Sequence, residues 1–225
     1  MKETWDPSGP ADTRTMRIVH NALRRDLARA GTVLRTAPCP HPDQRRALAT
    51  HLAWMMAFLH HHHSGEDAGL WPALMDRTDE EGRATLEAME AEHSEIDPIL
   101  EACAAGLQRL AEHPDDDARA ALAVRLVAAR ERLAEHLKHE ETEAIALIQA
   151  LLTPEEWEAI TKEHFDADVS FREILRLVPW VAHGLPDAVL RELFAKPGGP
   201  VHKVMLRLTR RRFERLEVAA FGSPN

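Results

Sequence analysis

Apolar residues recur at three- and four-residue spacing along most of this chain, a pattern that predicts long amphipathic helices. The first follows Asp12 or Thr13 as N-cap and carries the stripe Met16, Val19, His20, Leu23, Leu27, Ala30 and Leu34. A proline-rich loop, Thr36 to Asp43, ends it. The second runs from Leu48 to Leu74 with Leu48, Leu52, Met55 and Leu59 on one face. The third, Gly82 to Glu112, carries Leu86, Met89, His93, Ile96, Leu100, Cys103, Leu107 and Leu110. Pro98 inside it predicts a kink near His93. The fourth, Leu122 to Leu151, carries Leu122, Leu126, Ala129, Leu133, His136, Glu140, Ala144, Leu147 and Leu151. Four long helices with short connections predict an all-α, up-down-up-down four-helix bundle over residues 12–152.

Residues 153–225 predict additional C-terminal helices packed on that bundle. Thr153-Pro154-Glu155-Glu156 is a helix start, with Thr as N-cap, Pro at the first position and an acidic first turn. Trp157, Ile160 and Phe165 give one apolar face, Phe171 to Trp180 is apolar-rich, and Pro186 to Phe194 reads as a short helix. Lys196-Pro197-Gly198-Gly199-Pro200 reads as a hinge before a last helix, Val201 to Ala220. That helix carries Lys203, Arg207, Arg210, Arg211, Arg212 and Arg215, either a solvated face or a surface for an anionic partner. Met1 to Ala11 reads as loose.

The stripes are interrupted by the wrong kind of residue. In the second helix the positions after Leu59 are His62 and Glu66, and in the fourth the positions after Leu133 are His136 and Glu140. Burying an imidazole and a carboxylate is unfavourable unless each is paired or binds a metal. At i and i+4 they share one helix face and can reach the same ion. His20 and His93 lie on the other two stripes, and alternating helix direction brings all six groups to one level near one end of the bundle. His139 and Glu143 have the same spacing but fall on a face with Arg132 and Glu135, which reads as solvated. His60 and His61 point away from the His62 stripe and read as supporting or solvated. His164, His183 and His202 follow no ligand spacing and read as structural. Gly65, one residue before Glu66, marks either a tolerated defect or a place where another helix or a small ligand comes close.

Composition narrows the chemistry. Ala, Leu, Glu and Arg dominate the 225 residues and Tyr is absent, a helical composition. The net charge of -9 argues against nucleic acid as a partner. No apolar run reaches the ~18 residues of a membrane span, and the first residues carry no signal-peptide core. Cys39 and Cys103 make no disulfide framework, so the expected compartment is the cytoplasm. Nitrogen and oxygen ligands without thiolate disfavour soft-metal sites. Four imidazoles and two carboxylates exceed what one tetrahedral zinc needs and suit two metal ions, with Glu66 and Glu140 bridging alongside an oxide or hydroxide. Iron is the first candidate, with manganese or zinc as alternatives.

The order His20, His62-x-x-x-Glu66, His93, His136-x-x-x-Glu140 resembles the hemerythrin-like (HHE cation-binding) family. The contexts His20-Asn21-Ala22-Leu23-Arg24-Arg25-Asp26-Leu27, Glu66-Asp67-Ala68-Gly69-Leu70-Trp71-Pro72 and Glu90-Ala91-Glu92-His93 are similar too, and the resemblance covers roughly residues 14–152. Similar tails accompany some actinobacterial-type members. The resemblance implies a non-haem di-iron site that binds or reacts with O2, hydrogen peroxide or NO, in oxidative or nitrosative stress handling. A metal- or redox-sensing module without turnover, and a di-metal oxygenase of a biosynthetic pathway, are the rival readings. The oxygen-carrying members have five histidines and two carboxylates, with two histidines one turn apart on the third helix. Here the flanking positions are Met89 and Asp97, so a fifth nitrogen must come from elsewhere. His63 is the first candidate, with Glu90 or Asp97 as substitute ligands.

Overall fold

The structure, a computed structural model, describes residues 9–196 and 198–222. Among the described residues ten α-helices run in chain order: α1 Arg14–Arg35, α2 Pro42–Gly65, α3 Trp71–Met75, α4 Glu80–Glu112, α5 Asp116–His139, α6 Ile145–Leu151, α7 Pro154–Ile160, α8 Phe171–Ala182, α9 Asp187–Ala195 and α10 Gly199–Phe221. Three π-helical turns join some of them: Glu66–Leu70 links α2 to α3, Glu140–Ala144 links α5 to α6, and Thr161–Asp166 extends α7. The predicted second and fourth helices are therefore each one long rod with a π turn inside.

The long helices begin where the sequence offers a cap. Asp79 accepts from Gly82 N at 3.0 Å to open α4, and Asp115 accepts from Ala118 N at 2.6 Å to open α5. Pro42 starts α2 at a position where its missing N–H costs nothing. α4 runs through Pro98 as one helix. In the tail, Thr153 with Glu156 and Ser170 with Glu173 form capping boxes that start α7 and α8. Gly9 to Ala11 is tied down rather than loose. Ala11 N donates to Gln149 Oε1 at 3.0 Å, and Gln149 Nε2 donates back to Ala11 O at 2.7 Å. The rest of that predicted loose stretch, residues 1–8, lies outside the described residues, as does Pro197 of the predicted hinge.

α2 packs along α4, α4 along α5, and α5 along α1, giving the four-helix bundle that the periodicity predicts. The tail wraps the α1–α2 side: α10 lies along α2, α8 along α10, and both touch α1. Among the described residues, two apolar clusters fill the bundle, and a third, Ile18 with Leu185 and Val189, lies between α1 and the tail. The larger joins Leu23, Leu27, Leu52, Leu59, Leu100, Leu126 and Leu133 with Trp180 and Phe213 of the tail. The smaller holds Leu70, Trp71, Leu86, Met89, Ile145, Ile148 and Leu152. Each buried side chain of this size stabilises the fold by roughly 1.5–3 kcal/mol. Between the clusters lies a polar layer, and it is there that the interrupted stripes meet.

One correction concerns the fourth helix. The predicted stripe ends in Leu147 and Leu151, but the buried residues are Ile148 and Leu152. The π turn at Glu140–Ala144 adds one residue per turn and slips the phase of everything after it by one position. No helix among the described residues is long and apolar enough to cross a membrane.

Candidate metal centre

The polar layer contains His20 of α1, His62 and His63 of α2, His93 of α4, His136 of α5, and the two carboxylates that open the π turns, Glu66 and Glu140. All seven side chains are buried. Two of the three π turns begin at a candidate ligand, the placement that marks such bulges at functional sites in many helices.

The imidazoles fall into two sets. His63, His93 and His136 form one group, with His93 Nε2 and His136 Nε2 3.2 Å apart and the His63 and His93 rings stacked at 3.9 Å. His20 and His62 form the other, together with Glu140. Each carboxylate spans the two sets. Glu66 lies 3.2 Å from His62 Nε2 through Oε1 and 3.6 Å from His93 Nε2 through Oε2. Glu140 Oε2 lies 3.4 Å from His20 Nε2 and 3.9 Å from His136 Nε2. The result is a three-nitrogen pocket beside a two-nitrogen pocket, with a carboxylate on each side.

The opposite ring nitrogens are held by carboxylates from neighbouring helices. His20 Nδ1 meets Glu141 Oε1 at 2.9 Å, His63 Nδ1 meets Asp97 Oδ1 at 2.6 Å, His93 Nδ1 meets Asp67 Oδ1 at 2.8 Å, and His136 Nδ1 meets Glu92 Oε2 at 2.8 Å. A proton held on Nδ1 in this way leaves Nε2 as a free lone pair aimed inward, the arrangement metal-binding histidines use. Among the described residues, no such carboxylate backs His62.

Most of the inward atoms have no hydrogen-bond partner. His20 Nε2, His62 Nε2, His63 Nε2 and both oxygens of Glu66 and of Glu140 are buried without a hydrogen-bond partner. Orphaned buried groups of this kind are rare in native proteins, and here they share one layer. Burial, reinforced by the neighbouring imidazoles, drives His62 well below its ordinary pKa and His136 down to about 2. Burial also lowers His63, against the pull of Asp97. Burial and the facing Glu140 push Glu66 well above the carboxylate range. Imidazoles at His62, His63 and His136 held neutral beside a Glu66 carboxyl whose charge burial disfavours are the surroundings a multivalent cation relieves. The donor set, imidazole nitrogen and carboxylate oxygen in two adjacent pockets, fits two such ions.

All seven sequence candidates, His20, His62, His63, Glu66, His93, His136 and Glu140, are thus brought together. Asp97, weighed above as a substitute ligand, instead holds His63 from behind and also binds His60 Nδ1 at 2.9 Å. Glu90 is exposed. His61 donates to the carbonyl of Phe165 at 3.0 Å, in a supporting position. The His139–Glu143 pair, read above as solvated, is half-buried at the histidine, whose Nδ1 meets Glu92 at 3.0 Å. Sequence reasoning missed the backing carboxylates Asp67, Glu92 and Glu141. The signal was adjacency: each lies one residue from a candidate ligand, Asp67 after Glu66, Glu92 before His93, Glu141 after Glu140.

A second buried group, Asp26, His51 and Glu217, differs in kind. Asp26 accepts from His51 Nε2 at 2.7 Å, Trp180 Nε1 at 2.8 Å and Arg25 Nε at 2.7 Å, while Glu217 pairs with Arg29 and with His183 at 3.4 Å. Arginines already supply the positive charge, so this is a network that joins the tail to α1 and α2.

No curated protein and no solved structure matches the chain. A family model, the hemerythrin HHE cation binding domain, matches residues 11–148, more than half of the chain. That span contains each of the seven converging side chains, and the chain belongs to the hemerythrin HHE cation-binding family.

Proposed function

We propose that this chain is a non-haem di-iron protein whose two metal ions bind or react with a small diatomic or peroxide ligand. The observation that carries this is the convergence of five buried imidazoles, three on one side and two on the other, with a carboxylate across each flank and with His20 Nε2, His62 Nε2, His63 Nε2 and all four carboxylate oxygens lacking a hydrogen-bond partner. His63, His93 and His136 would hold one ion, His20 and His62 the other, and Glu66 and Glu140 would span both. Bound there, iron would supply a Lewis-acid and redox centre. The chain does the rest. Asp67, Glu92, Asp97 and Glu141 fix the imidazole tautomers and ring directions. The apolar clusters above and below the layer keep bulk water out, which strengthens every charge interaction inside. The two-nitrogen side has fewer protein ligands, so an exchangeable position belongs there. The clefts beside the centre are small, about 120 Å³ between bundle and tail and about 230 Å³ against His136 between α4 and α5. Pockets for drug-sized organic molecules run to ~300–1,000 Å³, which favours a small ligand over the substrate of a biosynthetic oxygenase.

Metal analysis of the full chain as purified tests the reading. Two irons per chain, falling in a His136→Ala variant, are the expected result; one ion or none after reconstitution would sink it. Peroxide consumption by the iron-loaded chain separates turnover from sensing, since a sensor without turnover gives equal rates for the wild type and His136→Ala.

A further inference from the structure

The five histidines of the centre are not equally sheltered. His62 is 7% exposed, against 0% for His20, 1% for His63 and His136 and 3% for His93, and is the most exposed histidine of the centre. The bundle does not close that side by itself. Phe58, one turn earlier on α2, stacks on the His62 ring at 6.4 Å, and Phe165 from the π turn after α7 packs on it at 5.6 Å. Phe165 belongs to the tail, beyond the residues that match the family.

The α2 rod is shaped to receive that segment. A Cβ on Gly65 would sit 2.8 Å from the His164 carbonyl and 3.1 Å from the Phe165 ring. A Cβ on Gly69, four residues on, would sit 2.2 Å from the His164 ring. Only glycine lets the tail approach this closely on both sides of Glu66. His61 then fixes the segment by donating to the Phe165 carbonyl at 3.0 Å. The sequence's ambiguous Gly65 is therefore a seat for the tail.

Outside these rings lies the cleft of about 120 Å³ between α2 and the tail, lined by Trp54, Phe58 and His61 on one side and by Asp168, Glu173 and Leu177 on the other. Its wall shares Phe58 with the His62 stack and His61 with the Phe165 seat. We propose that this cleft is the entry for the exogenous ligand and that Phe165 sets what passes from it to the His62 side of the centre. The ligand class follows from the lining: aromatic walls and two carboxylates admit small uncharged molecules and repel anions. This inference rests on the dinuclear reading above.

The test is stopped-flow ligand association on the full iron-loaded chain, with nitric oxide as the neutral probe of the reduced protein and azide as the anionic probe of the oxidised one. Phe165→Ala should raise association and dissociation rate constants of both probes together by about tenfold, leaving Kd nearly unchanged, as removal of a gate does. Phe165→Leu, the milder change, should fall between the wild type and Phe165→Ala, and it decides the matter should the Ala variant fail to hold iron. Asp168→Asn should raise azide association by about threefold at low salt, with the gain vanishing at high salt, and leave nitric oxide unchanged. Two irons bound with wild-type rates in both Phe165 variants would overturn the gate alone. A wild-type chain that cannot hold two metal ions would overturn the dinuclear reading and the gate with it.

Discussion

His63 acts in this structure through Asp97, its carboxylate partner one helix away. The imidazole is buried and its Nδ1 is held at 2.6 Å, so the ring has one orientation and one tautomer. His63 and Asp97 each hold the other's protonation state: burial lowers His63 against Asp97, and the His63 and His60 contacts outweigh burial to hold Asp97 below its usual value. Replacing Asp97 by Ala is expected to weaken metal binding by about 10–100-fold, the range found when a partner behind a metal-bound histidine is removed. His60→Ala, which removes the exposed second partner of Asp97, should change it far less. Chelator competition on both variants measures the difference, and equal effects would deny His63 a place in the centre. The sequence showed His63 only as a candidate because regular-helix geometry turns adjacent residues ~100° apart. A site with two pockets is wide enough for both: the His62 and His63 rings are 6.2 Å apart, one in each pocket. Four of the seven residues were legible because they replaced leucine at i and i+4 on a stripe, where the cost of burial makes a polar residue informative. The backing role of Asp67, Glu92, Asp97 and Glu141 was not legible beyond the adjacency of three of them to a ligand, because they reach across to another helix, and a single stripe does not say which neighbour it faces.

At the scale of the elements, periodicity carried the bundle and missed the breaks in it. The α1 stripe from Met16 to Leu34 is buried as predicted, and so is α2 up to Glu66. The π turns were not visible, because an extra residue in one turn leaves no mark in composition, only a phase slip such as Leu151 giving way to Leu152. The sequence led to the expectation that the tail packs on the bundle, but the residue that anchors it was out of reach. Its anchor, Asp26, is completely buried on α1 and looks in sequence like one more charged residue of an Arg-rich face. Burial alone would raise its pKa, but His51 and Arg25 hold the carboxyl far below the ordinary value of 3.8. A carboxyl depressed on folding contributes stability that is full above its unfolded value and fades as pH falls toward the folded one. Asp26→Asn leaves Arg25 without its charge partner and should cost about 3–5 kcal/mol near neutral pH, the range for breaking a buried ion pair. The gap between wild type and variant should narrow as pH falls below 3.8. Urea unfolding monitored by tryptophan emission at several pH values checks it; a gap that stays constant down to strongly acid pH would show that the charge of Asp26 is not what holds α8 and α10.

Across the whole molecule, the polar layer is a stability cost located between two apolar clusters. Both oxygens of Glu66 and of Glu140 are buried and unpaired, and each orphaned polar group costs ~1–3 kcal/mol. The surrounding clusters, together with Trp180 and Phe213 of the tail, must hold the bundle together against that cost until a cation arrives. Binding to the folded chain alone then stabilises it by mass action, by ~2.7 kcal/mol at a hundredfold excess over Kd. Function and stability therefore oppose each other at one residue. Glu66→Leu places an aliphatic side chain on a stripe that already runs Leu52, Met55, Leu59, and removes a buried carboxyl. In chelator-treated protein this variant should be more stable than the wild type, by about 1–3 kcal/mol. With saturating iron the order should reverse, because the wild type gains binding energy that the variant lacks. Thermal melts of both proteins with and without metal give the four numbers needed. A Glu66→Leu chain that is less stable than the wild type in the absence of metal would mean that the carboxyl has a structural partner, and that the orphaned lone pairs are not waiting for an ion.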